Sequence, residues 1–199
     1  MFDQIKLKRE FFEALLQQDE RMVCEVAACG CPVCQGRLHR ADYARKPRGA
    51  LIAPEGEAYV TRFSLCCARE GCRKRTTPPS LRLLGRRVYL GAVVIVASMF
   101  ARVIARTEIR RVTGVPAQTT RRWLEWWGGA FVSTEVFVAV VQARLIGVAV
   151  DALPASIVLR LPGSLPEQVR AMLELLSPLT TGQGARRVTL SEGGALGAA

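Results

Sequence analysis

The sequence predicts a mostly α-helical protein with one small β module, and three observations lead to this fold class. Half of the 199 residues are hydrophobic, so the chain can build a core and is not disordered throughout. Apolar residues recur at helical spacing towards both ends of the chain. Between them, residues 29–80 are rich in cysteine, glycine, proline and arginine, and their short apolar stretches indicate strands and loops.

The same patterns divide the chain into five segments. These are an N-terminal helical segment 1–28, the β module 29–80, a helical domain 81–127, a C-terminal helical region 128–180 and a disordered tail 181–199. In the first segment, residues 5–18 have the spacing of an amphipathic helix. In the fourth, Ser164 and Glu167 have the spacing of a capping box. The helix that begins there would bury Val169, Met172, Leu173 and Leu176.

Positive charge is concentrated in one part of the chain. The chain holds 28 Lys and Arg against 17 Asp and Glu, a net charge of +11. Residues 35–122 contain 19 basic and five acidic side chains, whereas residues 128–199 contain five of each. A GC-rich genome would explain why Arg outnumbers Lys 24 to four, but not why one part holds the excess. A segment this basic is typical of a surface that binds a polyanion, most often nucleic acid.

Two apolar stretches resemble membrane spans but lack the required length or composition. The run Val88 to Ala101 is too short to cross about 30 Å of hydrocarbon. The stretch from Gly128 to Val150 is interrupted by Glu135 and Arg144. The N-terminus, MFDQIKLKREFFEALL, lacks the apolar core of a signal peptide. We therefore expect no membrane association and a cytoplasmic protein whose thiols stay reduced.

Two close cysteine pairs indicate a metal site. Cys31 and Cys34 are separated by two residues, so both sulfurs can face one ion, and Gly36 lets the turn close. Cys67 and Cys72 form the second pair. Four thiolates are a common ligand set of structural zinc sites. The spacing therefore predicts a structural zinc ion in a zinc ribbon that spans residues 29–80.

Other residues remain alternatives for this ligand set. Cys66 is the rival of Cys67, and His39 or Cys29 could replace one thiolate. Cys24 stands in an apolar context and is assigned to the core. Four thiolates close the coordination shell, and no glutamate follows His39 at the spacing of a deaminase. We therefore expect a structural ion and no catalytic residue.

Basic residues lie between the two cysteine pairs and directly after the second. Because a metal ion would order the loops that carry them, they suit contacts to phosphate groups. The alternative is a solvated loop. The candidate DNA-binding residues of this region are Arg45, Lys46, Arg48, Arg73, Lys74 and Arg75.

The segment from Ala105 to Trp127 has the residue order of a helix-turn-helix, although helix–glycine–helix sequences also occur in ordinary bundles. Gly114 would supply the left-handed turn, Val115 would fill the corner and Pro116 would begin the second helix. The inner face would contain Thr120, Trp123, Leu124 and Trp127, and the Thr120 hydroxyl needs a partner there. The outer face would present Gln118, Thr119, Arg121 and Arg122 to base edges and phosphates.

Three stretches of the sequence resemble a family of small bacterial proteins that combine a transposase-type zinc ribbon with a helix-turn-helix. They are CPVCQGRLHRADYARKPRG, FSLCCAREGCRKRTTPPSLRLLGRRVYLGAVV and GVPAQTTRRWLEWW. The resemblance covers about residues 29–127 and implies DNA binding in insertion sequences and other mobile elements. The chain lacks the acidic cluster that holds two metal ions in a transposase. We therefore expect an accessory or regulatory factor, or a transcription regulator, and not an enzyme.

The function expected from these features is sequence-preferring binding of double-stranded DNA. A transposase or another element-encoded enzyme is a further candidate partner, and a homodimer is a candidate oligomeric state. An RNA-binding module is disfavoured because exposed aromatic residues are scarce. A protein–protein adaptor would recruit an element-encoded enzyme through the apolar region 128–180.

Overall fold

The structure is a computed structural model that describes residues 7–45, 57–84, 89–142 and 145–181. It is mostly helical with a small antiparallel sheet, as the sequence predicts. The helices are α1 (Arg9–Cys29), α2 (Glu57–Val60), α3 (Gly91–Phe100), α4 (Arg106–Thr113), α5 (Ala117–Trp126), α6 (Ala155–Val158) and α7 (Leu165–Leu176). The strands are β1 (Leu38–Arg40), β2 (Tyr43–Ala44), β3 (Thr61–Arg62), β4 (Leu65–Cys67) and β5 (Arg75–Thr76). π-Helical turns span Trp127–Phe131 and Val136–Gln142, and 3-10 turns span Val150–Ala152 and Ser177–Thr180. The predicted tail lies outside the described residues except for Thr181.

Helix α1 is longer than the amphipathic stretch in the sequence predicts. It buries Phe12, Leu15, Asp19 and Val23, which recur at three- and four-residue spacing along one face. The assignment of Cys24 to the core is wrong, because this side chain is exposed. Val23 occupies the buried face, and the next residue points about 100° further around the helix.

The β module contains a three-stranded antiparallel sheet in the order β1-β4-β5 and a separate pair, β2-β3. In the larger sheet Leu38 pairs with Cys67, and His39 pairs with Cys66. Side chains alternate between the two faces of a strand, so Cys66 and Cys67 point in opposite directions. The sequence predicts short strands here, but residues 57–60 form one helical turn instead.

The β module has a small core of its own, which α1 completes. Its buried side chains are Val23, Cys31, Leu38, Phe63, Leu65 and Cys67. Because Val23 belongs to α1, the C-terminal half of that helix supports the sheet. The N-terminal half of α1 contributes Phe12 and Leu15 to the larger core of the helical body.

Helix α3 lies at the centre of the helical body. Residues 91–99 of this helix are all buried, and the helix packs against α4, α5, α6 and α7. Its neighbours therefore cover the uncharged run that resembles a membrane span. An aromatic group lies beside it, with ring centroids of Tyr89 and Trp123 5.0 Å apart and those of Trp127 and Phe131 4.8 Å apart.

A buried ion pair connects α1 with the segment between the β module and the helical body. The Asp19 carboxylate accepts hydrogen bonds from Arg82 Nε at 2.8 Å, Ser80 Oγ at 2.6 Å and the Leu81 amide at 2.6 Å. The Asp19 and Arg82 side chains are 1% and 0% exposed. The sequence analysis did not predict this pair. Asp19 lies on the apolar face of the helix, and a carboxylate at such a position indicates a buried partner.

The two guanidinium groups of this region also bind backbone carbonyls of separate segments. Arg82 donates to the Tyr59 and Thr61 carbonyls at 2.9 and 3.1 Å. Arg62, which is 2% exposed, donates to the Pro78 carbonyl at 2.7 Å and to the Thr180 carbonyl at 3.4 Å. Burial lowers the pKa of Arg62, and the Asp19 carboxylate opposes that shift. These bonds join the β module to the C-terminal end of the described chain.

Helix α7 begins and packs as the sequence predicts. Ser164 and Glu167 form a capping box, in which the Ser164 amide donates to the Glu167 carboxylate at 2.7 Å. The four predicted core positions of the helix, Val169, Met172, Leu173 and Leu176, are fully buried. The hydrogen bonds from Ser164 hold the pKa of Glu167 below its usual value.

We expect Ser164→Ala to lower the free energy of unfolding by about 1 kcal/mol, the usual contribution of a helix N-cap. Because the pKa of Glu167 is lowered in the folded state, its contribution is present above its unfolded pKa and is lost as pH falls through the folded pKa. Urea unfolding at neutral and acidic pH measures both effects. Ser133→Ala, at an exposed serine whose hydroxyl donates to the Gly129 carbonyl and caps no helix amide among the described residues, serves as the control. Equal stability of the two variants at neutral pH would contradict the capping role.

Candidate metal centre and nucleic-acid interface

Four cysteine side chains converge at one end of the β module. The Sγ atoms of Cys31, Cys34, Cys67 and Cys72 all lie within 4.8 Å of one another. The Cys34 and Cys67 sulfurs are 3.5 Å apart, and the Cys31 and Cys72 sulfurs are 3.8 Å apart. Four sulfurs bound tetrahedrally at about 2.3 Å from a zinc ion are separated by about 3.8 Å. The cluster therefore fits one metal ion with four thiolate ligands.

Two loops of equivalent backbone shape position these sulfurs. In the first loop the Gln35 amide donates to the Cys31 carbonyl at 2.8 Å, and in the second the Arg73 amide donates to the Arg69 carbonyl at 3.3 Å. The residue that follows the last cysteine of each pair adopts the left-handed conformation, with φ of 59° at Gln35 and 44° at Arg73. Each loop thereby turns its pair of sulfurs towards the other pair.

Backbone amides and burial act in opposite directions on the thiols. The Val33 and Cys34 amides donate to the Cys31 sulfur, and the net effect lowers the pKa of Cys31 to about 7. Burial raises the pKa of Cys67 to about 12, although the Arg69 amide lies 3.4 Å from its sulfur. A cation at the centre of the cluster would offset this burial cost, because metal binding to a thiol displaces its proton.

Gly36 lies where the first loop passes closest to the cluster. A Cβ atom at this position would lie 3.3 Å from the sulfurs of both Cys34 and Cys67. A larger side chain would therefore push against two of the four candidate ligands. The glycine that the sequence places after the first pair thus allows the loop to close over the sulfurs.

The alternative ligands lie away from the cluster. Cys66 points to the opposite face of β4, where its Sγ lies 3.5 Å from the Arg73 carbonyl oxygen. His39 is exposed on β1 and pairs with Cys66, so it faces away from the cluster as well. Cys29 is exposed at the end of α1. The four cysteines that converge are the four that the spacing predicts.

The connection between α4 and α5 is a tight turn around a buried corner residue. Gly114 adopts the left-handed conformation with φ of 68°, and its amide donates to the Arg110 carbonyl at 2.8 Å. Val115 is fully buried between the helices. Together with α3, these helices pack in a group of three in which each contacts the other two.

Helix α5 has a buried face and an exposed polar face. Thr120, Trp123 and Trp127 are buried, and Leu124 is half-buried. The Thr120 hydroxyl has a partner, since it donates to the Pro116 carbonyl at 3.4 Å. On the other face, the predicted DNA contacts Gln118, Arg121 and Arg122 are exposed and Thr119 is half-buried.

The exposed arginines near α5 differ in their ion pairs. Arg121 lies 3.5 Å from the Glu125 carboxylate, one helical turn further along. Arg122 makes no ion pair with any residue that the structure describes, and the same holds for Arg102, Arg106 and Arg110. These four exposed guanidinium groups lie on α4, on α5 and in the turn after α3, and their positive charge is not balanced by an ion pair among the described residues.

Three of the six residues of the β module that are predicted to contact phosphate are exposed. Arg73, Lys74 and Arg75 are exposed at and before β5. Arg45 is half-buried, and its amide donates to the Val60 carbonyl at 2.8 Å. The remaining two candidates, Lys46 and Arg48, lie outside the described residues.

Comparison with protein-family models, with curated proteins and with solved structures finds no match for this chain. None of the helices in the described ranges is long and apolar enough to cross a membrane. The fold and the site together define a mostly helical protein with a four-cysteine cluster in a small antiparallel module.

Proposed function

We propose that this chain is a sequence-preferring double-stranded DNA-binding protein in which a zinc ion stabilises the β module and α4–α5 acts as a helix-turn-helix. The observation that carries the proposal is the exposed face of α5. There Gln118, Arg121 and Arg122 project from a helix whose opposite face is fixed by buried Trp123 and Trp127. A rigid helix with polar and basic residues on its free side is the element that enters a major groove.

The residue types on this face match the chemistry of base and phosphate recognition. Gln118 offers both a donor and an acceptor to a base edge, and Arg121 can donate two parallel hydrogen bonds. Arg122, Arg106 and Arg110 supply positive charge for phosphate groups. The tight turn at Gly114 brings α4 close to the same end of α5.

The zinc ion of this proposal is structural. Cys31, Cys34, Cys67 and Cys72 would hold it with four thiolates, which leaves no open position for a substrate. Its role would be to order the loops that carry Arg73, Lys74 and Arg75, so that these residues meet the phosphate backbone at low entropic cost. The resemblance to mobile-element proteins favours DNA of the element itself, and service to an element-encoded enzyme, as the biological setting.

Fluorescence anisotropy of the zinc-loaded protein tests the proposal directly. A duplex from the region that flanks its own gene is titrated at two salt concentrations, with a scrambled duplex and a single-stranded RNA as competitors. We expect a preference of about a hundredfold or more for the flanking duplex and a salt slope of about −0.9 for each phosphate contact. Equal binding to all three would contradict base recognition, and tighter binding to RNA would favour the RNA-binding alternative.

Two arginine variants separate base recognition from phosphate binding. We expect Arg121→Ala to reduce discrimination between the two duplexes by about 1–3 kcal/mol. Arg73→Ala should weaken binding to both duplexes equally. It should also reduce the magnitude of the salt slope by about 0.9, the contribution of one phosphate contact. The same anisotropy titrations measure both effects.

Arg170→Ala is the matched control for Arg121→Ala. Arg170 also lies 3.5 Å from a glutamate one turn away, Glu174, but it belongs to α7 in the neutral part of the chain. The Arg170→Ala variant should therefore bind both duplexes as the native protein does. If the Arg121 and Arg73 variants lost the same affinity on every sequence, recognition of bases by α5 would be wrong.

A further inference from the structure

We propose that an exposed aliphatic surface formed by Ile146, Val150 and Leu159 is an interface with a second copy of this chain. Leu159 is 66% exposed, Ile146 is 89% exposed and Val150 is 41% exposed. Ile146 is the most exposed of the large hydrophobic side chains that the structure describes. Exposed aliphatic groups that lie together are typical of protein interaction sites.

A hydrogen bond brings together the two chain segments that carry these side chains. The Ser156 hydroxyl donates to the Ala149 carbonyl at 2.7 Å, which joins the segment around Ile146 to α6. A Cβ atom at Gly147 would lie 3.9 Å from the Arg160 guanidinium, next to Leu159. The loop that carries Ile146 and Val150 therefore lies beside the C-terminal end of α6, which Leu159 directly follows.

The charge distribution favours a second copy as the occupant. Residues 1–127 hold 23 basic and 12 acidic side chains, whereas residues 128–199 hold five of each. Two copies that met through their basic parts would repel each other, and contact through the neutral part avoids this repulsion. Aliphatic groups also match their own copies across a two-fold axis without any pairing of opposite charges.

This arrangement would keep the exposed face of α5 free in both copies. Two recognition helices related by a two-fold axis would then meet two half-sites of one duplex. Dimerisation itself does not depend on DNA binding, so the proposed interface and the proposed function can fail separately.

Sedimentation of the full-length, zinc-loaded protein without nucleic acid tests the interface. We expect twice the mass of one chain for the native protein in high salt. Ile146→Asp and Leu159→Asp should each raise the dissociation constant by about a hundredfold, because each removes an aliphatic group from both copies and buries a charge.

Val103→Asp is the matched control, since Val103 is 74% exposed but lies in the basic part of the chain. It should leave the dimer intact, and circular dichroism of all three variants should match the native spectrum. A native protein with the mass of one chain at all concentrations would overturn the proposal. So would equal dissociation by Val103→Asp, or dimers that persist in both interface variants.

Discussion

Asp19→Ala is expected to lower the free energy of unfolding by about 3–5 kcal/mol, the usual result of removing one partner from a buried ion pair. Asp19 accepts three hydrogen bonds, and its loss would leave the Arg82 guanidinium buried without a counter-charge. The Ser80 hydroxyl and the Leu81 amide would also lose their acceptor. Because these groups connect α1 with the segment between the β module and the helical body, we expect the loss to destabilise both parts.

Urea unfolding followed by circular dichroism measures this effect. Glu13→Ala is the control, because Glu13 is on the same helix but pairs with Arg9 at the surface, where a salt bridge contributes about 0–1 kcal/mol. The double variant Asp19→Ala Arg82→Met should lose less than the sum of its single variants, since the unpaired charge is then absent. A loss for Asp19→Ala as small as that for Glu13→Ala would contradict the structural role of the buried pair.

Removal of the proposed zinc ion is expected to unfold the β module. Among the described residues, the small core of this module holds six buried side chains, and two of them, Cys31 and Cys67, are candidate ligands. Structural zinc contributes an apparent binding free energy of about 10–16 kcal/mol at neutral pH, which is more than so small a core can replace. The larger core is built from other residues, so the helical body should keep its helices.

Cys67→Ser and Cys66→Ser form a matched pair for this prediction. The two residues are neighbours in sequence, but only Cys67 points into the cluster. We expect one zinc ion per chain in the native protein and in Cys66→Ser, and loss of the ion in Cys67→Ser. Metal analysis and hydrogen exchange of β1, β4 and β5 measure the two consequences.

The pH dependence of metal binding provides a further check. Protons compete with the ion for all four thiolates, so the affinity should fall as the pH decreases. Cys31, whose pKa is lowered to about 7, should lose its proton more readily than Cys67, whose pKa burial raises to about 12. If Cys66→Ser lost the metal as readily as Cys67→Ser, the assignment of the cluster would be incorrect.

Local patterns predicted the features that depend on a few neighbouring residues. The Cys31 and Cys34 spacing predicted one half of the cluster, because a short loop determines where its two sulfurs point. The buried positions of α7 followed from helical periodicity, and its start followed from Ser164 and Glu167. Gly114 and Val115 predicted the turn before α5 for the same reason.

Long-range packing decided the features that sequence analysis missed or left open. The choice between Cys66 and Cys67 depended on which face of β4 turns towards the loop after α1, and this follows from the pairing with β1. The exposure of Cys24 followed from the contacts that α1 makes with the β module. In both cases the local sequence was compatible with either outcome.

The sequence by itself determined the mostly helical fold class, the charge distribution, the Cys31 and Cys34 pair and the polar face of α5, since each depends on composition or on spacing within one segment. Only the tertiary structure decided that Asp19 meets Arg82, 63 residues away, and that Arg62 reaches the Thr180 carbonyl. A charged side chain is stable in a core only where a distant partner compensates its lost hydration. That partner is selected by the packing of the whole chain, and no local pattern specifies it.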